Sequence, residues 1–272
     1  MRVLLTGRRG QVGSELERAI EGVVATDRAS LELSDLEAIR RKVREMKPEA
    51  IVNAAAYNAV DKAESERALA LRINGEAPGV LAEEAKRLGA LLVHYSTDYV
   101  FDGAKRSPYV EDDSPRPLSV YGESKLAGER AIQGSGCRAL ILRTSWVYGP
   151  RATNFYRLIR GKADANQPMQ MVDDQTSVPT TAAFLAQFTM ELLKRKAEGL
   201  LHLVPSGAAT RYEFAREVVR RTGSRSNVEP VKSDRFPSPA RRPAYSVLSN
   251  ARAAQLLARP LPDWQTALST MT

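Results

Sequence analysis

Cysteine is almost absent: Cys137 stands alone in 272 residues. One thiol excludes an intrachain disulfide framework and fits a reducing, cytoplasmic setting. Long apolar runs are missing too, since none approaches the roughly 20 residues that cross a bilayer. The N-terminal MRVLLTGRRG reaches a glycine turn too soon for a signal peptide and reads as a first strand. Aromatics make up only 6% of the chain, and the denser basic spots, Arg8-Arg9, Arg220-Arg221 and Arg241-Arg242, do not stand among them. The net charge of +8 therefore comes without a stacking platform for single-stranded nucleic acid. Most Lys and Arg residues alternate with Glu, as in RRKVRE and EEAKRLG, the pattern of solvated helix faces. Neither nucleic acid nor a membrane is expected as a partner, and an anionic small molecule suits the charge.

What is there is an alternation. RVLLT (2–6), VVATD (23–27), EAIVNAAA (49–56), LLVHYST (91–97) and RALILRTS (138–145) are apolar strand candidates. Between them lie GSELERAI (13–20), SDLEAIRRKVREM (34–46) with Ser34 as N-cap, a helical region over about 61–88 broken near Gly75 and Pro78, and a helix beginning near Tyr121. Uninterrupted apolar strands alternating with helices predict an α/β fold, a Rossmann-type doubly wound parallel sheet with helices on both faces. Beyond Gly149-Pro150 the pattern loosens, with a helix over 181–196, a strand over 200–204 and a Pro-, Ser- and Arg-rich irregular stretch from 223 to 246. Residues 1–150 read as a dinucleotide-binding domain with 171–205 packing back on it; 151–170 and 206–272 read as a smaller substrate-binding lobe.

LLTGRRGQVGSEL places Gly7, Gly10 and Gly13 between the first strand and the first helix. Glycines permit the tight turn and close approach to a pyrophosphate, which the N–H groups of the helix start then receive. Asp27 lies 20 residues after Gly7, at the end of the second strand, where an acid takes ribose hydroxyls and favours NAD. Arg8, Arg9 and Arg28 stand nearby and suit a 2′-phosphate, favouring NADP. The expected cofactor is NADPH or NADH.

Ser96, Thr97, Asp98 and Tyr99 close the fourth strand, at the end of the sheet where ligands of doubly wound folds bind. His94, still inside the strand, reads as a satisfied structural histidine. Tyr121 and Lys125 in VYGESKLAGE are i and i+4 on one helix face. A phenol with an ordinary pKa of about 10 is a poor acid–base group near neutrality, and an ammonium nearby lowers it. Tyr121 could then hand a proton to a carbonyl oxygen while Thr97 hydrogen-bonds the same atom.

The glycine turn, NAAA, the STD strand end and Y-x-x-x-K, in that order, resemble the extended short-chain dehydrogenase/reductase superfamily. Within it, GQVGSEL, IVNAAAYNAVDKAESE, HYSTDYVFDG, VYGESKLAGE, LRTSWVYG, DQTSVPT and PARRPAYSVL resemble the dTDP-4-dehydrorhamnose reductase family. The resemblance implies reduction of the 4-keto group of dTDP-4-dehydro-β-L-rhamnose to dTDP-β-L-rhamnose by NADPH or NADH. It implies Thr97, Tyr121 and Lys125 as the catalytic set. It implies cofactor contacts at Gln11 and Val12 with the turn glycines, at Ala56, Tyr57, Asn58 and Tyr95, and at Lys125 on the ribose. Glu32 and Leu33 stand where the family has an aspartate–apolar pair near the adenine. Asp98, Tyr99 and Trp146 map to substrate contacts. One arginine of the late loop, Arg241, is expected on the diphosphate. Asp61 is read as a helix N-cap. No metal ligand is assigned, and a homodimer stays open.

A dehydratase of the superfamily needs a glutamate after the Thr-Asp pair, and here that position is Tyr99. Another nucleotide-sugar 4-ketoreductase or epimerase of the same superfamily, and a non-catalytic regulatory subunit with this fold, are the remaining alternatives.

Overall fold

The computed structural model describes residues 2–151 and 154–271. Its first half follows the predicted alternation: β1 (Val3–Thr6), α1 (Gln11–Ala19), β2 (Val24–Thr26), α2 (Leu36–Met46), β3 (Ala50–Asn53), α3 (Val60–Ala63), α4 (Arg67–Leu71), α5 (Ala77–Leu88), β4 (Leu91–Thr97), α6 (Val120–Ser135) and β5 (Ala139–Thr144). The second half adds β6 (Val147–Tyr148), α7 (Phe155–Asp164), β7 (Met169–Val172), β8 (Thr176–Ser177), β9 (Thr180–Thr181), α8 (Ala182–Lys194), β10 (Gly199–His202), β11 (Ala209–Thr210), α9 (Arg211–Thr222), β12 (Val228–Val231), α10 (Ala251–Leu257) and α11 (Trp264–Ser269).

Six strands form one parallel sheet in the order β10-β5-β4-β3-β1-β2. Its residues alternate between two cores. Leu5, Val52, Val93 and Leu142 face one side, with Leu16 of α1 and Phe184 and Phe188 of α8. Leu4, Ile51, Leu92 and Ile141 face the other, with Ile39 of α2 and Leu81 of α5. Burial on both faces is why these strands read as continuous apolar runs. The strand order reverses between β1 and β3, the switch point at which a crevice opens beyond the carboxyl ends. A second unit holds Tyr148, Ile159, Met171, Phe214, Val218 and Trp264 in its own cluster, beside the parallel pair β7–β12.

Three local expectations are corrected. The N-cap of α2 is Asp35, whose carboxylate accepts from the Ala38 N–H, and not Ser34. The 61–88 region does not break at Gly75 and Pro78: Arg72–Glu76 forms a π-helical turn that runs into α5, where Pro78 occupies the first turn and removes no needed N–H. The interruption lies between α3 and α4. The stretch 223–246 is not wholly irregular either, because Val228–Val231 pairs with β7 at an edge that tolerates Pro230.

Candidate active site

Above the switch point lies a cavity of about 490 Å³. Gly10, Gln11 and Val12 line it from the β1–α1 turn, Ala56 and Asn58 from the segment after β3, and Tyr95, Thr97, Asp98 and Tyr99 from the end of β4. Tyr121 and Lys125 reach it from α6, and Trp146 from the segment after β5.

The glycine turn is shaped for close backbone packing. Gly7 has φ +80°, and a Cβ there would lie 2.7 Å from the Ala55 nitrogen. A Cβ on Gly13 would lie 2.1 Å from the Gly7 carbonyl oxygen. Gly10 caps α1 without a side-chain hydrogen bond, so the first N–H groups of the helix face the cavity without a capping partner. Such a turn fits a dinucleotide pyrophosphate. Gln11 leans across to donate to the Val147 carbonyl at 3.2 Å, tying this turn to β6.

At the β4 end, Thr97 Oγ1 accepts from the Tyr99 N–H at 3.1 Å and lies 3.1 Å from Asp98 Oδ1, to which it donates. Asp98 Oδ2 also accepts from Ser177 at 3.0 Å and Ser246 at 2.5 Å. Burial pushes the Asp98 carboxyl up to about 6, against the pull of these three hydroxyls. Asp98 therefore clamps Thr97, β8 and the late loop together, and its oxygens are committed to protein hydroxyls.

Tyr121 lies in the first turn of α6, whose N-cap Ser119 accepts from the Gly122 N–H. Its ring meets Tyr99 edge-on with centroids 5.9 Å apart. Burial pushes the phenol well above its ordinary value; a Thr97 hydrogen bond opposes this, while Asp98 and Tyr99 add to the rise. The expectation that the Lys125 ammonium draws the phenol down is not what the protein alone displays. Lys125 Nζ instead donates to the Tyr95 carbonyl at 2.6 Å and lies 3.2 Å from His94 Nε2. Burial lowers Lys125 to about 8, with Glu129 holding its charge up.

Trp146 has φ +40°, a backbone region that costs a non-glycine residue roughly 1–2 kcal/mol. It forms the wall between the main cavity and a smaller one of about 130 Å³ lined by Tyr148, Phe155, Pro179, Arg211 and Phe214. The Arg211 guanidinium lies 4.5 Å from the Trp146 ring centre and 5.1 Å from that of Phe155. Arg211 and Arg242 both lower the Tyr99 phenol, whose burial raises it.

The family model for the RmlD substrate binding domain matches residues 1–272. A dTDP-4-dehydrorhamnose reductase of Burkholderia thailandensis is 42% identical over 288 residues, spanning 98% of this chain and 97% of its own. One from Escherichia coli K12 is 40% identical, spanning 100% and 97%. This chain belongs to the dTDP-4-dehydrorhamnose reductase family. A Bacillus anthracis dTDP-4-dehydrorhamnose reductase, solved in complex with NADP, has a TM-score of 0.95 and 32% identity, covering 99% of this chain and 98% of that one.

Several residues singled out in the sequence lie elsewhere in this reductase-family chain. Gly7 and Gly13 stand behind the turn. The Asp27 carboxylate is occupied by the Ala29 and Ser30 N–H groups and by Arg9 at 2.6 Å, which hold it below its ordinary range. Glu32 takes Arg28 and the Ser34 N–H, and Leu33 is buried in the core. Tyr57 turns its hydroxyl to Glu66. Asp61 is not an N-cap, a place held by Ala59; it pairs with Arg242 through both oxygens, at 3.0 and 2.8 Å. Arg241 is exposed, and the arginine that faces Tyr99 is Arg242. Arg211 had no sequence signal: it opens an ordinary amphipathic helix, and only the packing of α9 beside β6 brings it to Trp146. No helix among the described residues is long and apolar enough to cross a membrane.

Proposed function

We propose that the chain reduces the 4-keto group of dTDP-4-dehydro-β-L-rhamnose to the hydroxyl of dTDP-β-L-rhamnose, with NADPH or NADH as reductant. The observation that carries the reading is the gathering of Thr97, Tyr121 and Lys125 on one cavity wall beyond the end of β4, with Lys125 buried. Membership of the reductase family supports the substrate class.

The β1–α1 turn and Asn58 would hold the dinucleotide, which supplies a hydride to the carbonyl carbon when bound. Tyr121 gives its proton to the carbonyl oxygen. Thr97 donates its one hydroxyl hydrogen to Asp98; turned into the cavity, it would donate to the same oxygen as charge develops there. Lys125, whose charge Glu129 favours against burial, sets the local field and binds the ribose. Asp27 is already neutralised by Arg9, and Arg9 and Arg28 are both exposed. This supports acceptance of a 2′-phosphate as readily as a free hydroxyl. Arg211 and Arg242, which both act on the Tyr99 phenol, suit the substrate diphosphate, and Trp146 the sugar.

The test is nicotinamide absorbance with the keto sugar generated in place by the preceding dehydratase reaction. Turnover that yields the 4-hydroxy sugar nucleotide is the expected result. Dinucleotide binding without turnover would overturn the reading and favour a regulatory subunit.

A further inference from the structure

Thr6, Asn53 and His94 occupy paired positions on three adjacent strands: Thr6 stands opposite Asn53, and Asn53 opposite His94. All three side chains point to the α6 side of the sheet and form one chain. Thr6 Oγ1 lies 2.6 Å from Asn53 Oδ1, Asn53 Nδ2 lies 3.0 Å from His94 Nδ1, and His94 Nε2 lies 3.2 Å from Lys125 Nζ. Every member is at most 2% exposed. Polar groups inside a sheet are costly unless each is satisfied, so the chain demands a consistent set of donors and acceptors.

In this arrangement an amide nitrogen only donates, so His94 Nδ1 must accept. A neutral imidazole then carries its proton on Nε2, and burial keeps His94 neutral, with Lys125 acting in the same sense. That N–H points at Lys125 Nζ, which accepts it only as a neutral amine. An ammonium there would set donor against donor. The conflict is relieved by one change: the Asn53 amide turns over, which leaves its shape unaltered. Oδ1 then faces His94, the imidazole proton moves to Nδ1, and Nε2 becomes an acceptor for the ammonium. Thr6 Oγ1 accepts from Asn53 at the far end. The number of protons on His94 is one in both states, and only Lys125 gains or loses one.

We infer that His94 and Asn53 are positioning residues whose reversible hydrogen-bond chain lets Lys125 be buried in both charge states and sets the balance between them. Its catalytic consequence rests on the proposed role of Lys125; the chain itself does not. Other groups near Lys125 offer no such exchange of donor for acceptor. Glu129, one turn on along α6, is held by Arg143 of β5 at 2.7 Å and by Ser96 of β4. Asp98 is committed to its three hydroxyls, Tyr95 presents its backbone carbonyl, and Tyr121 is neutral.

The chain has only two histidines, His94 and His202. Imidazole nitrogen-15 shifts of the cofactor-free protein, followed from about pH 6 to about pH 10, therefore read the tautomer directly. His202 is the internal control, because its Nδ1 faces the Tyr109 carbonyl at 3.2 Å and must keep its proton. The expected result is that His94 passes from Nδ1–H to Nε2–H with a midpoint near 8, where burial places Lys125. The exchange should vanish in Lys125→Met. A His94 that keeps one tautomer throughout in the wild type would overturn the inference, as would an exchange that persists in Lys125→Met. Asn53→Asp leaves only an acceptor opposite Nδ1, so it should lock His94 as Nδ1–H. It should also carry the alkaline limb of kcat/KM upward by about one pH unit. A uniform loss of rate with the limb unmoved would reduce the chain to scaffolding. Absence of turnover in the wild type would count against the proposed function and leave the tautomer result standing.

Discussion

Asp98→Asn should shift stability in the variant's favour as the pH rises from about 4 to about 7. The carboxyl is 2% exposed and rises from 3.8 to about 6 on folding. At about pH 5 the unfolded chain has lost this proton while the folded chain keeps it, so stability declines as the pH climbs through that range. A shift of roughly two units, at 1.36 kcal/mol each, amounts to about 3 kcal/mol over the whole titration, of which about 2.4 kcal/mol of folding free energy is lost between about pH 4 and about pH 7. The asparagine does not ionise and escapes this loss. It also changes the hydrogen bonds to Thr97, Ser177 and Ser246, but that contribution is independent of pH. Urea unfolding, followed by fluorescence of Trp146 and Trp264, separates the two. The stability difference between variant and wild type should favour the variant by about 2.4 kcal/mol more at about pH 7 than at about pH 4. A difference that is the same at both values would refute the reasoning that burial dominates at Asp98. What a carboxylate kept at such cost does is legible in its partners, since it fixes Thr97 to β8 and the late loop at once.

Gly13→Ala places a methyl group 2.1 Å from the Gly7 carbonyl, so the β1–α1 turn must open; NADPH affinity should fall by more than about tenfold in a fluorescence titration, and unchanged affinity would contradict the close approach. Asp61→Asn breaks the bidentate pair that anchors Arg242; because Asp61 is nearly half exposed, stability should change by less than about 1 kcal/mol, while KM for the sugar nucleotide rises several-fold in steady-state assays. Arg211→Met should raise the same KM by about tenfold at unchanged NADPH affinity, as the proposed contact with the substrate diphosphate requires.

The sheet was legible because its strands are buried on both faces and therefore unbroken, and the glycine turn because it precedes a helix. Thr97, Tyr121 and Lys125 were legible as a spaced set, and the structure brings all three to one cavity. What the residues around them do was not. Sequence spacing gives no hint that Lys125 turns toward His94, because that depends on the register of β1, β3 and β4. Asp61 looked like a helix start, and its partner Arg242 lies 181 positions away. Of the adjacent arginines, Arg241 and Arg242, only the burial of Ala240 and Pro243 around them decides which one turns inward. Asp27, Glu32 and Leu33 were chosen by their place after the second strand. Their side chains are engaged by local turns and by the core, which linear position does not reveal.

The central claim is that the Tyr121 phenol supplies the proton for ketone reduction. Tyr121→Phe keeps the ring against Tyr99 and removes only the hydroxyl. Its kcat on the dTDP-4-keto sugar, measured beside its NADPH dissociation constant, should fall by about 10²–10⁴-fold while the dissociation constant stays within about twofold. Turnover within a few-fold of wild type would contradict the account.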